Sequence, residues 1–500
     1  MKKRIFPIVI NAIIALPLLL TGCSDDPAPP SDPIDANHNG FETRAVAEVF
    51  VSNCAVSGCH AGSAPKGGLS FETYDKMIAG SQGRDTSSGG GHGHGKRLGI
   101  YSGESVYGGE SVVPFNPDES LLYRLITGNV EDSTLRMPYN MAPLSESQIL
   151  TVRNWILNGA KNHHGEVPFV NPAVRAYICS QGTDQIYVVD GEKKIVTRVL
   201  DLNTGTQIAP HNAKIFGDYY YVTQIRAGKF VKYRISDNSA AGELTGLDVP
   251  GMVELSADGS KAFVSKSSTG TGSYNSIYVI STATMQLISE LAIPVSGIPH
   301  GIALNSDATK LYVANLTKDR ITILNTVTGD PVINDIVMSS GATPVHEPMH
   351  IYVSPDDKYL YVTCRKSDKL LIYDALTGTL LKDIQFAAHP MQVSIMPSGN
   401  RLYVNLMHSA QVAVVDFSGA DWAVSSLISH ENFTMLYGSA LSADGKFLFV
   451  TSSNDLNEYK PRYAVKGRLR SSNLGIIETA TNQVVRVLDL GAYTTGITAR

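Results

Sequence analysis

Pro299-His300-Gly301-Ile302-Ala303-Leu304, then Asn305-Ser306-Asp307-Ala308, Leu311-Tyr312-Val313-Ala314-Asn315, Arg320-Ile321-Thr322-Ile323-Leu324-Asn325 and Thr328-Gly329, is one copy of a pattern that returns along the chain. Short runs rich in branched and aromatic residues alternate with Asn, Ser, Asp and Gly, so each run is expected as a strand and each break as a turn. The second strand returns as Tyr221-Val222-Thr223, Phe263-Val264-Ser265, Tyr361-Val362-Thr363, Tyr403-Val404-Asn405 and Phe449-Val450-Thr451. The turn before it returns as Ala257-Asp258-Gly259, Pro355-Asp356-Asp357 and Ala443-Asp444-Gly445, and the third strand as Leu371-Ile372-Tyr373-Asp374, Val414-Val415-Asp416 and Ile476-Ile477-Glu478. A period near 40 residues builds a repeat architecture.

Four short strands per copy make one blade of a propeller. The repeat region opens on Arg175-Ala176-Tyr177-Ile178-Cys179, a strand of the second type with no inner strand before it. It finishes on Thr495-Gly496-Ile497-Thr498-Ala499-Arg500, which fits the missing inner strand. The last strand is therefore expected to pair into the first blade and close the ring, which removes exposed sheet edges. Six complete copies and this split one predict seven blades over residues 174–500. The region resembles the Tyr-Val-Thr-Asn repeat propellers along nearly all of its length. A WD-repeat propeller is disfavoured, since Trp422 is the only tryptophan of the region and belongs to no Trp-Asp repeat. Cys179 and Cys364 fall in blades one and five and are expected as separate buried thiols, not as a disulfide.

Working back toward the start, 500 residues with 43% hydrophobic and 17% charged exceed one compact core and call for several domains. A net charge of -5 carries no polyanion footprint, so no nucleic-acid partner is expected. Residues 1–22 have Lys2, Lys3 and Arg4 ahead of the apolar run Ile5–Leu20, broken by Pro7, Asn11 and Pro17. That is a signal peptide, too short and too proline-broken to span as a helix. Leu20-Thr21-Gly22-Cys23 resembles a bacterial lipobox, which implies cleavage before Cys23, acylation of its thiol and a bacterial cell-envelope location, lipid-anchored on the periplasmic side or at the outer membrane or surface. Residues 23–40 are then the lipidated Cys and a flexible tether, acidic and proline-rich over Ser24–Pro33.

Residues 41–162 carry the strongest chemical signal. Val46, Val49 and Phe50 stand at helical spacing and lead into Cys54-Ala55-Val56-Ser57-Gly58-Cys59-His60. Two thiols followed at once by His is the c-type haem attachment pattern: the sulfurs add to the vinyl groups and the imidazole ligates iron. Four residues separate the cysteines where two is usual, and a Cys54–Cys59 disulfide or a zinc ligand pair are the competing readings. Later come Val112–Arg124, Arg136-Met137-Pro138, Pro143–Ile149 and Trp155-Ile156-Leu157-Asn158-Gly159-Ala160. This string resembles the cytochrome c domains fused to other modules in envelope proteins. The resemblance implies one covalent haem c, with Cys54 and Cys59 as thioethers, His60 as proximal ligand and Met137, or alternatively Met141, as distal ligand. Ser145 and Gln148 form a capping box for the closing helix, which buries Ile149, Val152 and Ile156. Between the halves, Ser81–Gly109 is a Gly/Ser-rich insertion whose His92 and His94 read as a solvated loop or alternative metal ligands. Residues 163–173 are a linker.

The fold class expected is thus multidomain: a small all-α cytochrome c domain followed by an all-β seven-bladed propeller with split-blade closure. Aligning the copies puts Thr495, His211, Gly251, His300, Met349, Met391 and Tyr437 at one equivalent position at a propeller mouth, with His350 one place further in and His346 and His389 in the preceding connections. Imidazole and thioether together suit copper or haem iron, so His211, His300 and His350 are a candidate second metal site; the competing reading is a hydrogen bond between blades. Ser452–Asn473, with Lys460, Arg462, Lys466, Arg468 and Arg470, is a basic connection suited to an acidic partner or merely to water. The function expected is electron transfer through one haem, with the propeller as recognition platform for a redox partner protein or small-molecule donor or acceptor, and the membrane met through the lipid anchor. The alternatives are an oxidoreductase with its centre, possibly copper, at the propeller mouth, and an adhesion module with structural haem.

Overall fold

The computed structural model describes residues 34–79 and 111–500, apart from 268–271, 331–334, 342, 387, 419–420, 462 and 468–469. The expected signal peptide, Cys23, the proline-rich stretch to Pro33 and the insertion with His92 and His94 lie outside the described residues. The end of the expected flexible tether is instead packed, with Ile34 against the helical core and Asn39 Nδ2 donating to the Glu72 carbonyl at 3.0 Å.

Seven four-stranded antiparallel sheets follow one another from Arg175 to Ala499. The first is composite: Thr494–Ala499 forms its inner strand, followed outward by Arg175–Ser180, Gln185–Asp190 and Ile195–Asp201. Ala176 pairs with Ala499 and Ser180 with Thr494, so the C-terminal strand closes the ring as the sequence ends predicted. Arg175–Ser180 and Gln185–Asp190 are buried at every position. A blade is covered on both faces by its neighbours, so its middle strands lose the apolar–polar alternation of a half-solvated sheet. One apolar cluster shows this directly, joining Tyr177, Cys179, Ile186 and Val188 of blade 1 to Ala213, Tyr220, Val222 and Val231 of blade 2.

The third residue of the Tyr-Val-Thr repeat has a specific task. Its side chain donates to the next blade's inner strand, at the mouth position aligned above. Thr223 Oγ1 reaches the Gly251 carbonyl at 2.6 Å, Ser265 Oγ that of His300 at 3.0 Å, Thr363 Oγ1 that of Met391 at 2.6 Å, Asn405 Nδ2 that of Tyr437 at 2.9 Å and Thr451 Oγ1 that of Thr495 at 3.2 Å. All five side chains are fully buried, where an unpaired carbonyl is costly. Two blades lack such a donor, with Cys179 in blade 1 and Ala314 in blade 4. There the inner strand itself supplies it: Thr495 Oγ1 donates to the His211 carbonyl at 3.3 Å, and His300 Nδ1 to the Met349 carbonyl at 2.8 Å. Inner strands also approach closely. A Cβ on Gly301 would lie 2.6 Å from the His350 Cα.

The N-terminal unit is helical, with α1 (Arg44–Asn53), α2 (Tyr74–Ala79), α3 (Leu121–Thr127) and α4 (Glu146–Leu157). Helix α1 buries Val46, Ala47, Val49, Phe50 and Val51 and is capped by Thr43 Oγ1. Helix α4 opens on the Ser145–Gln148 capping box and buries Val152, Trp155 and Ile156; Ile149 is only partly buried. Phe50 sits 5.1 Å from Phe41, 5.3 Å from Phe71 and 5.4 Å from Trp155, centroid to centroid. The unit touches blades 1 and 7. Gln185 Nε2 donates to Glu119 Oε1 at 3.1 Å, and the Glu131 N–H to the Ala464 carbonyl at 2.9 Å. Both propeller partners lie on the rim where the inner strands begin, because Gln185 pairs with Ser180, which pairs with Thr494.

Candidate functional site

The connection after α1 brings the Cys-Cys-His segment against the helical core. Cys54 caps α1, its N–H donating to the Phe50 carbonyl at 2.8 Å, and its side chain packs on the apolar cluster. Its sulfur is a free thiol, which burial pushes up to about 12. Cys59 is 4% exposed and is not bonded to Cys54. The Cys54–Cys59 bridge weighed from the sequence is therefore not formed.

His60 is held at three points. Its Nδ1 donates to the Leu69 carbonyl at 3.0 Å, its own carbonyl accepts from Phe71 N–H at 3.0 Å, and its ring meets Phe71 edge-on at 5.4 Å. Burial holds the imidazole below its ordinary pKa range, against hydrogen bonds to the Leu69 and Lys66 backbone. With Nδ1 committed to a carbonyl, Nε2 is the nitrogen left to act as a base or ligand. That is the arrangement ligating histidines ordinarily have. Met137 is half-buried against the same core that Cys54 touches. Met141 is 43% exposed, so the thioether next to the core is Met137. Cys54, His60 and Met137 therefore share one aromatic-walled core, and the donor set of thiol, neutral imidazole and thioether fits a c-type haem. Leu69 and Phe71 were not singled out from sequence; a polar clamp made by a backbone carbonyl leaves no residue-type signature.

The propeller mouth presents the second expected cluster. His300 and His350 are 1% and 4% exposed, with rings edge-on at 5.0 Å. His211 accepts at Nδ1 from Gln181 Nε2 at 2.9 Å, and its Nε2 is sealed without a hydrogen-bond partner. Burial lowers all three, His211 to about 4 and His300 to about 3, and each of His300 and His350 is further disfavoured by neighbouring imidazoles. These are neutral side chains. Met349 and Met391 pack with Ile298 and Leu316 in one apolar cluster, against which Met407 and Tyr437 rest. Among the described residues no group of three or more His, Cys, Asp or Glu is arranged to hold a metal ion. His300 has the inter-blade task given above, its Nδ1 replacing the donor that Ala314 lacks. The signal for it was present in the alignment of copies, where Ala314 stands against Thr, Ser and Asn. Cys179 and Cys364 are buried free thiols in separate blades, as expected.

No family model matches the chain. The uncharacterized protein YncE of Salmonella typhi is 27% identical over 184 residues, 36% of this chain and 49% of that protein. A seven-bladed β-propeller protein of Mycobacterium tuberculosis, Rv1057, is 32% identical over 111 residues, 22% of this chain and 25% of its own length. The chain carries a seven-bladed β-propeller. It spans about half the length of YncE and a quarter of Rv1057. Among solved structures, the periplasmic gluconolactonase PpgL of Pseudomonas aeruginosa superposes with a TM-score of 0.52 at 16% identity, covering 65% of this chain and 99% of that one. At that identity the propeller shares the fold with PpgL and nothing finer.

Proposed function

We propose that the protein is a c-type cytochrome anchored in the bacterial cell envelope through Cys23, transferring electrons by one covalent haem on its helical unit and using the propeller to recognise its redox partner. The observation that carries this reading is His60: directly after a cysteine pair, its Nδ1 is clamped to the Leu69 carbonyl, which leaves Nε2 as the nitrogen that would serve as a proximal ligand. Cys54 and Cys59 would hold the group through thioethers and Met137 would supply a thioether ligand to its iron. When bound, such a haem supplies one-electron exchange at a potential raised by its neutral thioether ligand. The chain's own contribution is to exclude water with Phe41, Phe50, Phe71 and Trp155 and to fix the ligand geometry with α1 and α4. Thioether formation needs both Cys54 and Cys59 as reduced thiols. No observation favours an active centre on His211, His300 and His350.

The test is expression of the full chain, signal peptide included, in a bacterium competent in haem c assembly. The reading expects a haem-stained band under denaturing conditions, with the mass increase of haem on the peptide that holds Cys54 and Cys59. A colourless protein whose Cys54 and Cys59 are unmodified would refute it.

A further inference from the structure

The segment that carries Met137 is held from both sides. It leaves α3 through Gly128, which sits at φ 70 in the left-handed region. Asn129 N–H donates to the Arg124 carbonyl at 2.9 Å, and Met137 N–H to the Leu125 carbonyl at 3.1 Å. Both of those anchors belong to the helical unit. Between them, Val130 is 2% exposed and the Glu131 N–H donates to Ala464, which belongs to blade 7.

Ala464 lies in the connection between the strands Phe447–Ser453 and Ser472–Glu478, and that connection has its own internal frame. Asn454, 2% exposed, donates to the carbonyls of Tyr459 at 2.7 Å and Ser471 at 3.0 Å and accepts from the Tyr459 N–H at 2.9 Å. The Tyr459 hydroxyl then donates to Asp489 on the outermost strand of the same blade. Burial raises the Asp489 carboxyl, opposed by the Tyr459 hydrogen bond and by the charges of Arg124 and Arg486. Arg124 in turn pairs with Glu119 at 2.5 Å, and Glu119 takes the Gln185 amide. Among its described residues the blade 7 connection is therefore braced at Asn454 and Tyr459. Its one backbone hydrogen bond described to the helical unit falls six residues before Met137.

We propose that the connection Asn454–Ser471 is a positioning element for residues 129–137, so that Tyr459, through the Ala464 carbonyl, sets where Met137 stands. Only the meaning given to Met137 rests on the haem reading; the coupling of the two segments does not. A partner that docks on this rim and moves the connection would then be felt at the distal ligand without touching the helical core. The basic residues that the sequence placed here, Lys460, Lys466 and Arg470 among the described ones, make the rim suited to an acidic partner.

The experiment compares the full-length wild type with Tyr459→Phe and Asp489→Asn, by amide exchange over residues 129–137 and, in haem-loaded protein, by midpoint potential and the absorption band of methionine-ligated ferric haem. Loss of the brace should speed exchange at Val130–Met137 by about five- to tenfold, the range of one lost hydrogen bond. It should also lower the potential and weaken the band, with covalent haem and the propeller's melting point retained. Tyr459→Phe removes one oxygen and Asp489→Asn keeps the side-chain volume, so whichever variant folds reads the same coupling. Folded variants with wild-type exchange and wild-type potential would overturn the proposal. A wild type that never takes up haem would defeat the functional reading, and exchange alone would still decide the coupling.

Discussion

His300 shows how one side chain can look catalytic and be structural. Its imidazole is neutral, buried and beside a second histidine, yet its Nδ1 donates to the Met349 carbonyl that Ala314 cannot reach. Replacing His300 with Leu should destabilise the propeller by about 1–3 kcal/mol, the cost of an orphaned buried carbonyl. Adding Ala314→Ser should recover much of that loss, because a hydroxyl at the equivalent place in blade 3 already serves His300. Thermal melts of the single and double variants decide this, and a double variant no more stable than His300→Leu would contradict it. The three mouth histidines also carry a pH signature. Their folded pKa values lie below the unfolded one, so the unfolded chain binds more protons once the pH drops under about 6.5. Stability is full above that value and is lost as pH falls toward the depressed values of about 4 and 3. Each histidine contributes at most about 1.4 kcal/mol per pH unit in that window. Melting midpoints between pH 6.5 and 5 should fall, and His350→Phe should flatten the slope; an unchanged slope in that variant would contradict the burial of these rings. At this scale the sequence was ambiguous, since the same Pro-His serves a metal or a neighbouring blade and only the residue facing it across the blades distinguishes the two.

Elements are locked to each other by a second recurring device. Asp184, Asp319 and Asp368 each stand just before a third strand at positive φ, 52°, 44° and 56°. Each carboxylate accepts backbone N–H groups from the connection into the next blade. Asp184 takes those of Ile208 and Ala209, Asp319 those of Val345, His346 and Glu347, and Asp368 that of His389. Burial would raise the Asp319 carboxyl, but the hydroxyl of Ser339 and these N–H groups outweigh it and hold the carboxyl below its ordinary range. Asp319→Ala leaves three backbone N–H groups and the Ser339 hydroxyl without this acceptor and should cost about 2–4 kcal/mol. Urea unfolding of the variant measures it, and a midpoint unchanged from wild type would contradict the role. Strands and helices were legible because their periods are short: Thr43–Asn53 announced α1 through Val46, Val49 and Phe50, and Ser145 with Gln148 announced the start of α4. The Asp device was not legible, because it joins a turn to a connection some twenty residues on with no period of its own. The clamp on His60 escaped for the same reason, since Leu69 contributes only its carbonyl.

For the whole molecule, closure and docking carry the account. Arg175 and Thr495 betrayed the split blade because a strand lacked its neighbour at one end of the repeats and had it at the other. Removing residues 494–500 should open the ring and abolish a single cooperative melt, since blade 1 would lose its inner strand. A truncated chain that melts like the full one would contradict closure by that strand. Sequence left open which propeller face the helical unit approaches, because an extended linker reaches either. The contacts from Glu119 to Gln185 and from Glu131 to Ala464 put it on the rim where the inner strands begin, the face that also holds His211, His300 and the basic connection. A haem carried by that unit would stand beside this rim of the propeller. The most direct test is a potentiometric titration of purified full-length protein, followed by absorption and paired with an iron determination. The account predicts one iron per chain, held covalently, and a single reversible one-electron transition. Protein that contains no iron and shows no visible redox transition would contradict it.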